Sequence, residues 1–186
     1  MSSDYFIVPA TPDFFCWQAI NSLSETITAW HAELEFFKQT SRSNTAANIS
    51  NKPKFIGAIH QRYRPRNGMP VKSFEHWVKE IHGAVNSVLA PALHRIGCSA
   101  TEHEIQKSLD LTDTSHLKAY DLAQISDFNS LIAISQKLSK PVFAITDQDL
   151  RDDGKAGNVF DTMSENRNLF LQQFERLCQR VLILTA

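Results

Sequence analysis

Residues Asp4–Leu23 read DYFIVPATPDFFCWQAINSL. The first part, Tyr5-Phe-Ile-Val-Pro9, is almost wholly apolar, which is how a strand covered on both faces of a parallel sheet reads. Such strands belong in the middle of a doubly wound sheet, with other strands before them. Only the four residues Met1–Asp4 precede this one, so the expectation is a sheet that lacks some of its strands. Thr11-Pro12-Asp13 then reads as a helix start. The threonine hydroxyl caps free N–H groups, and proline suits the first helical position.

Downstream, Phe14, Trp17, Ile20, Leu23, Ile27, Trp30, Leu34 and Phe37 recur at spacings of three and four. That spacing predicts a long amphipathic helix with an aromatic-rich face. A polar stretch over residues 40–52 follows and is expected to be a mobile loop. Lys54–Tyr63 is the second predicted strand, and Arg64–Pro70 a turn-rich loop. Phe74 to Leu89 carries the apolar spacing of a second long helix. Thr101–Asp110 reads as a short helix, Ala119–Ser126 as a third strand, and Ser130–Leu138 as a helical turn ahead of Lys140-Pro-Val-Phe143. Asp152–Gly157 is a turn, and the last helix presents Phe160, Met163, Phe170, Phe174, Leu177 and Val181. Strands alternating with long helices predict an α/β fold: a partial doubly wound, mainly parallel sheet flanked by long helices. The whole chain, 1–186, reads as one domain.

The bulk numbers exclude several classes. With 42% hydrophobic residues the chain can build a core, and a formal net charge of −1 with a pI near 6.6 supplies no global basic field for nucleic acid or membrane. Cys16, Cys98 and Cys178 are too far apart for a CxxC and odd in number, which argues for a reducing compartment. Cys16 and Cys178 are expected to be core residues. No apolar run approaches the roughly 20 residues of a membrane span, and no signal peptide is recognisable. The expected location is cytoplasmic, with no membrane partner.

Three segments taken together carry a family resemblance. SDYFIVPATPDFF, KFIGAIHQRYRPRNGMPVKSF and SLIAISQKLSKPVF resemble, in that order, the later portion of the ParA/MinD-type deviant Walker-A ATPases. Tyr5–Pro12 matches the family's apolar strand ending P-x-x-P-D, Phe55–Tyr63 its strand of the form φ-G-φ-φ-x-N-x-Y, and Leu131–Val142 a segment ending K-P-φ. The resemblance implies a truncated P-loop NTPase-like fold. The family's phosphate loop, K-G-G-x-G-K-[ST], has no counterpart in this sequence. The only Gly-Lys pair, Gly154-Lys155, has Asp149 and Ala156 where the loop needs glycine and a hydroxyl. No catalytic residue is therefore assigned and no cofactor is expected for this chain alone; ATP and Mg²⁺ enter only if an N-terminal half completes the site.

On the adenine side the resemblance points to Gln61, Gln136 and Ser139. Gln61 stands where the family often has asparagine, and it can equally well end a strand facing solvent. Family members hold DNA nonspecifically through surface basic residues, which points to Arg62, Arg64 and Arg66; these alternate along an extended stretch and can share one face. A solvated loop is the other reading, and binding through so short a cluster would be weak. No metal site is expected: His76 and His82 are six apart on one helix, and His103-Glu104 lacks the second histidine of H-E-x-x-H because position 107 is lysine.

Three functions stay open on the sequence. One is a P-loop-less ParA-like interaction module, non-catalytic alone and related to partition and positioning ATPases. Another is a fragment of an active ATPase whose other half carries the phosphate site. The last is an unrelated α/β binding protein. An apolar strand without its neighbours also predicts that the chain is a homo-oligomer or is completed by another protein chain.

Overall fold

The structure is a computed structural model and describes residues 3–40, 52–63, 65–66, 69–70, 72–127 and 129–186. Residues 41–51, within the expected mobile loop, lie outside the described residues. Thr40 belongs to a helix instead.

Strand β1, Tyr5–Ala10, leads into helix α1, Phe14–Thr40. Asp13, not Thr11, sets the helix start. Its Oδ1 accepts the Cys16 N–H at 2.8 Å, and the Thr11 hydroxyl donates to its Oδ2 at 2.5 Å. A carboxylate here satisfies an orphan N–H and faces the positive end of the helix dipole. Pro12 precedes the helix instead of opening it.

Strand β2, Lys54–Tyr63, has the bounds read from the sequence. It forms a three-stranded sheet with β1 and β5 (Asp121–Ser126), in the order β1-β2-β5, with both pairings parallel. Tyr5 pairs with Lys54 and Ala10 with His60; on the other side Ala58 pairs with Asp121. β2 is thus the central strand, and Phe55, Ile56 and Ala58 on it are buried. Burying each of the two larger side chains contributes roughly 1.5–3 kcal/mol. Among the described residues β1 has a neighbour on one side only. Tyr5 to Val8 are half-buried and Pro9 is exposed, so the expectation of a strand covered on both faces does not hold here.

Pro65–Arg66 (β3) and Met69–Pro70 (β4) form a small antiparallel ladder within the turn-rich segment. The second long helix is composite. Regular helix α2, Lys72–Gly83, passes into a π-helical stretch, Ala84–Leu89, and then into α3, Ala90–Arg95. Pro91 lies directly after the π-helical stretch and contributes no N–H to this continuous helix. α4, Glu102–Leu111, opens on a capping box: Thr101 accepts the Glu104 N–H, and Glu104 returns to the Thr101 backbone. α5, Asn129–Leu138, is a full helix and not the single turn that the sequence suggests. The Lys-Pro segment continues as a 3₁₀ turn, Val142–Ala144, followed by α6, Asp147–Asp152, and α7, Gly157–Thr185. α7 packs along β5 and α4. Among the described residues no helix is long and apolar enough to cross a membrane.

Candidate functional site

The residues named from the sequence fall on separate elements. Gln61 is exposed towards the end of β2. Gln136 is exposed in the last turn of α5. Ser139 follows that helix with φ 51°, and the Lys140 N–H returns to the Ser135 carbonyl, so Ser139 serves as the left-handed residue that ends α5. Lys140 is held by Asp149 at 2.8 Å. Arg64 lies outside the described residues, as do the side chains of Arg62 and Arg66; the backbones of those two belong to β2 and β3.

Among the described residues the outer edge of β1 pairs with no strand, and helix α1, packed on the composite helix, leaves several aromatics exposed. The aromatic face read from the sequence is only partly buried. Ile20 and Ser24 are buried, but Phe14, Trp30 and Phe37 are exposed, as are Phe15 and Phe36 beside them. Trp30 keeps 65% of its surface in solvent. Between α1 and β1 a cavity of about 350 Å³ is lined by Phe6, Ile27, Trp30, Leu34 and Cys98. Exposed aromatic side chains and unpaired strand edges are kinds of surface at which chains associate. Cys16 is half-buried and its Sγ accepts the Thr11 N–H at 3.2 Å. Cys178 is exposed, on the outward side of α7 next to buried Leu177, and is not a core residue.

A second constellation is polar and buried. The sheet sets it up: Ala58 pairs with Asp121, so His60, two residues along β2, lies diagonally across from that aspartate. His60 Nε2 is 2.8 Å from Asp121 Oδ1. From α2, His82 Nδ1 touches Asp121 Oδ2, and the two imidazole centroids are 4.3 Å apart. Asn86, in the π-helical stretch, donates to Asp121 Oδ1 at 3.3 Å and accepts the Tyr120 N–H at 2.9 Å. Asp121 is fully buried. Burial alone would push its carboxyl up, but His60 and then His82 more than offset that and hold it down at about 2.

Behind this cluster lies a buried guanidinium. Arg180 of α7 has no exposed surface. Its Nη1 donates to the Asp121 carbonyl and, at 3.0 Å, to the Leu122 carbonyl, while Nε and Nη2 reach Ser108 Oγ. Desolvation lowers its pKa to about 10, with the Asp121 charge opposing. Sequence reading missed both groups. The partners sit on different elements, with His60 and Asp121 61 residues apart. The one local signal was a charged residue, Arg180, on the apolar face of the last helix.

No family model, no curated protein and no solved structure matches this chain.

Proposed function

We propose that this chain is a ParA-like interaction module, non-catalytic alone, whose sheet is completed at the β1 edge by another polypeptide. One observation carries the reading: among the described residues β1 is bonded to β2 on one side and to no strand on the other, while α1 leaves aromatics exposed. The parallel, sequential order β1-β2-β5 supports a relation to partition and positioning ATPases, because the matched segments Tyr5–Pro12 and Phe55–Tyr63 are expected to be parallel neighbours in that family. The occupant of the edge is a second copy or a separate chain bearing a phosphate loop. ATP and Mg²⁺ belong to the assembly only in the second case, with Gln61, Gln136 and Ser139 on the adenine side. Arg62, Arg64 and Arg66 carry a weak, nonspecific attraction to DNA. A cytoplasmic location goes with this reading, since all three cysteines are free thiols.

Multi-angle light scattering at micromolar concentration tests the proposal. The expected result is a mass above that of one chain, falling towards it when Trp30 and Phe36 are both changed to Ser with the helical signal intact. ATP turnover is expected at the level of buffer. A monomer at every concentration, unchanged when candidate phosphate-loop partners are added, contradicts the reading.

A further inference from the structure

The His60–His82–Asp121 cluster plays no part in the interaction surface, and its geometry poses a separate problem. Buried polar atoms in folded proteins are almost always hydrogen-bonded. Here Asp121 Oδ2 and His82 Nδ1 pair with each other and with no further group. One donor atom from each of the three residues lies within 4.8 Å of the others. The Asp121 side chain is wholly buried, with Oδ1 against His60 and Oδ2 against His82.

We propose that His60, His82 and Asp121 form a binding site for a divalent transition-metal ion of the zinc class. An ion at the centre of the three takes the buried Nδ1 and the carboxylate as ligands in place of their pairing with each other. Three ligands about 2.0–2.1 Å from an ion sit only a few ångströms from one another, and the observed His60 Nε2 to Asp121 Oδ1 separation of 2.8 Å needs little adjustment. Two imidazoles and one carboxylate suit Zn²⁺, Co²⁺, Ni²⁺ or Cu²⁺, whereas Ca²⁺ and Mg²⁺ take mainly oxygen ligands. The charge fits as well. The carboxylate is anionic, and Arg180, the nearby fixed cation, directs its donors to the Asp121 and Leu122 carbonyls and to Ser108. Asn86 supplies the outer support that metal-bound carboxylates usually have, tied both to Asp121 and to the Tyr120 backbone. Three protein ligands leave the fourth position of a tetrahedral ion to a water or another small ligand.

The test uses the full chain, stripped with chelator and dialysed against micromolar Co²⁺ or Zn²⁺. About one ion per chain is expected, with the intense visible bands of low-coordinate Co²⁺. His60→Gln and His82→Gln should each weaken binding at least about tenfold, and Asn86→Ala by about 10- to 100-fold. His103→Gln, on α4, should leave binding unchanged. The wild type gives an answer that does not depend on any variant folding: on adding Zn²⁺, the ¹⁵N resonances of His60 Nε2 and His82 Nδ1 should shift while those of His103 stay. Failure of the wild type to bind at micromolar ion, weak octahedral-type Co²⁺ bands, or unmoved His60 and His82 resonances would each overturn the proposal. So would full binding by a folded His60→Gln/His82→Gln double variant.

Discussion

Arg180 donates through Nη1 to the backbone carbonyl of Asp121, so the last helix of the chain fixes the first residue of strand β5. That contact joins two parts of the fold whose pairing decides where the Asp121 carboxylate points. A guanidinium suits this position because its fork reaches two successive carbonyls and a hydroxyl at once, which a lysine ammonium cannot do from the same place.

Arg180→Leu should therefore destabilise the protein by about 3 kcal/mol or more, because buried carbonyls lose their donors and the Asp121 charge loses its counter-charge. Urea unfolding at constant m-value measures this. A change under about 1 kcal/mol would show that the guanidinium is dispensable.

Gly57 is the second sensitive point. It sits in β2 at φ +137°, and a Cβ there would come within 2.7 Å of the Tyr120 carbonyl oxygen and 2.8 Å of Leu122 Cγ. Backbone strain and overpacking act together, so Gly57→Ala should cost roughly 2–3 kcal/mol. Gly154→Ala, where a Cβ meets nothing within 4 Å, should cost less despite its positive φ. Equal losses in the two variants would contradict this account of Gly57.

Asp149 gives a pH prediction. The Lys140 ammonium first, then the Thr146 N–H and hydroxyl, hold its carboxyl down at about 2. An unfolded aspartate titrates near about 3.9. Because the folded value is the lower one, this contribution to stability is present above about pH 4 and disappears as the pH falls through about 2. A ¹³C titration of the Asp149 carboxylate should have its midpoint near the lower value and move upward in Lys140→Met. A midpoint already at the ordinary value in the wild type would remove the ion pair from the account.

Replacing Arg62, Arg64 and Arg66 together with Ala should abolish duplex DNA binding at low salt. In the wild type that binding should fall steeply as salt is raised, since it rests on phosphate contacts and counterion release. Unchanged affinity in the triple variant would exclude this cluster as the contact.

What the sequence disclosed follows from how local each signal is. β2 was legible because Lys54–Tyr63 is a compact apolar run closed by polar residues, and α4 because Thr101 and Glu104 form a capping box within one turn. The cap of α1 lies two residues beyond Thr11 because Thr11, Pro12 and Asp13 all suit a helix start, and only the hydrogen bond to Cys16 tells them apart. The π-helical stretch was hidden: Ile81, Val85 and Leu89 keep a spacing of four, which an ordinary helix also produces. It matters to the site, because it carries Asn86 to Asp121. Trp30 and Phe37 fit a buried face by periodicity, but periodicity does not say whether a second layer exists to cover them. His60, His82 and Asp121 meet only through strand register and helix packing, so no local window contains them.

That the outer edge of β1 is open to another chain is tested most directly by amide exchange of Tyr5–Ala10, followed across protein concentration. In dilute monomer, the β1 amides that do not bond to β2 should exchange within the time of a mobile segment, while the buried β2 amides of Phe55 and Ala58 stay protected. Those outer amides should gain protection as chains associate or as a completing partner is added. Slow exchange throughout Tyr5–Val8 in a dilute, strictly monomeric chain would mean that the edge is covered internally and would contradict the claim.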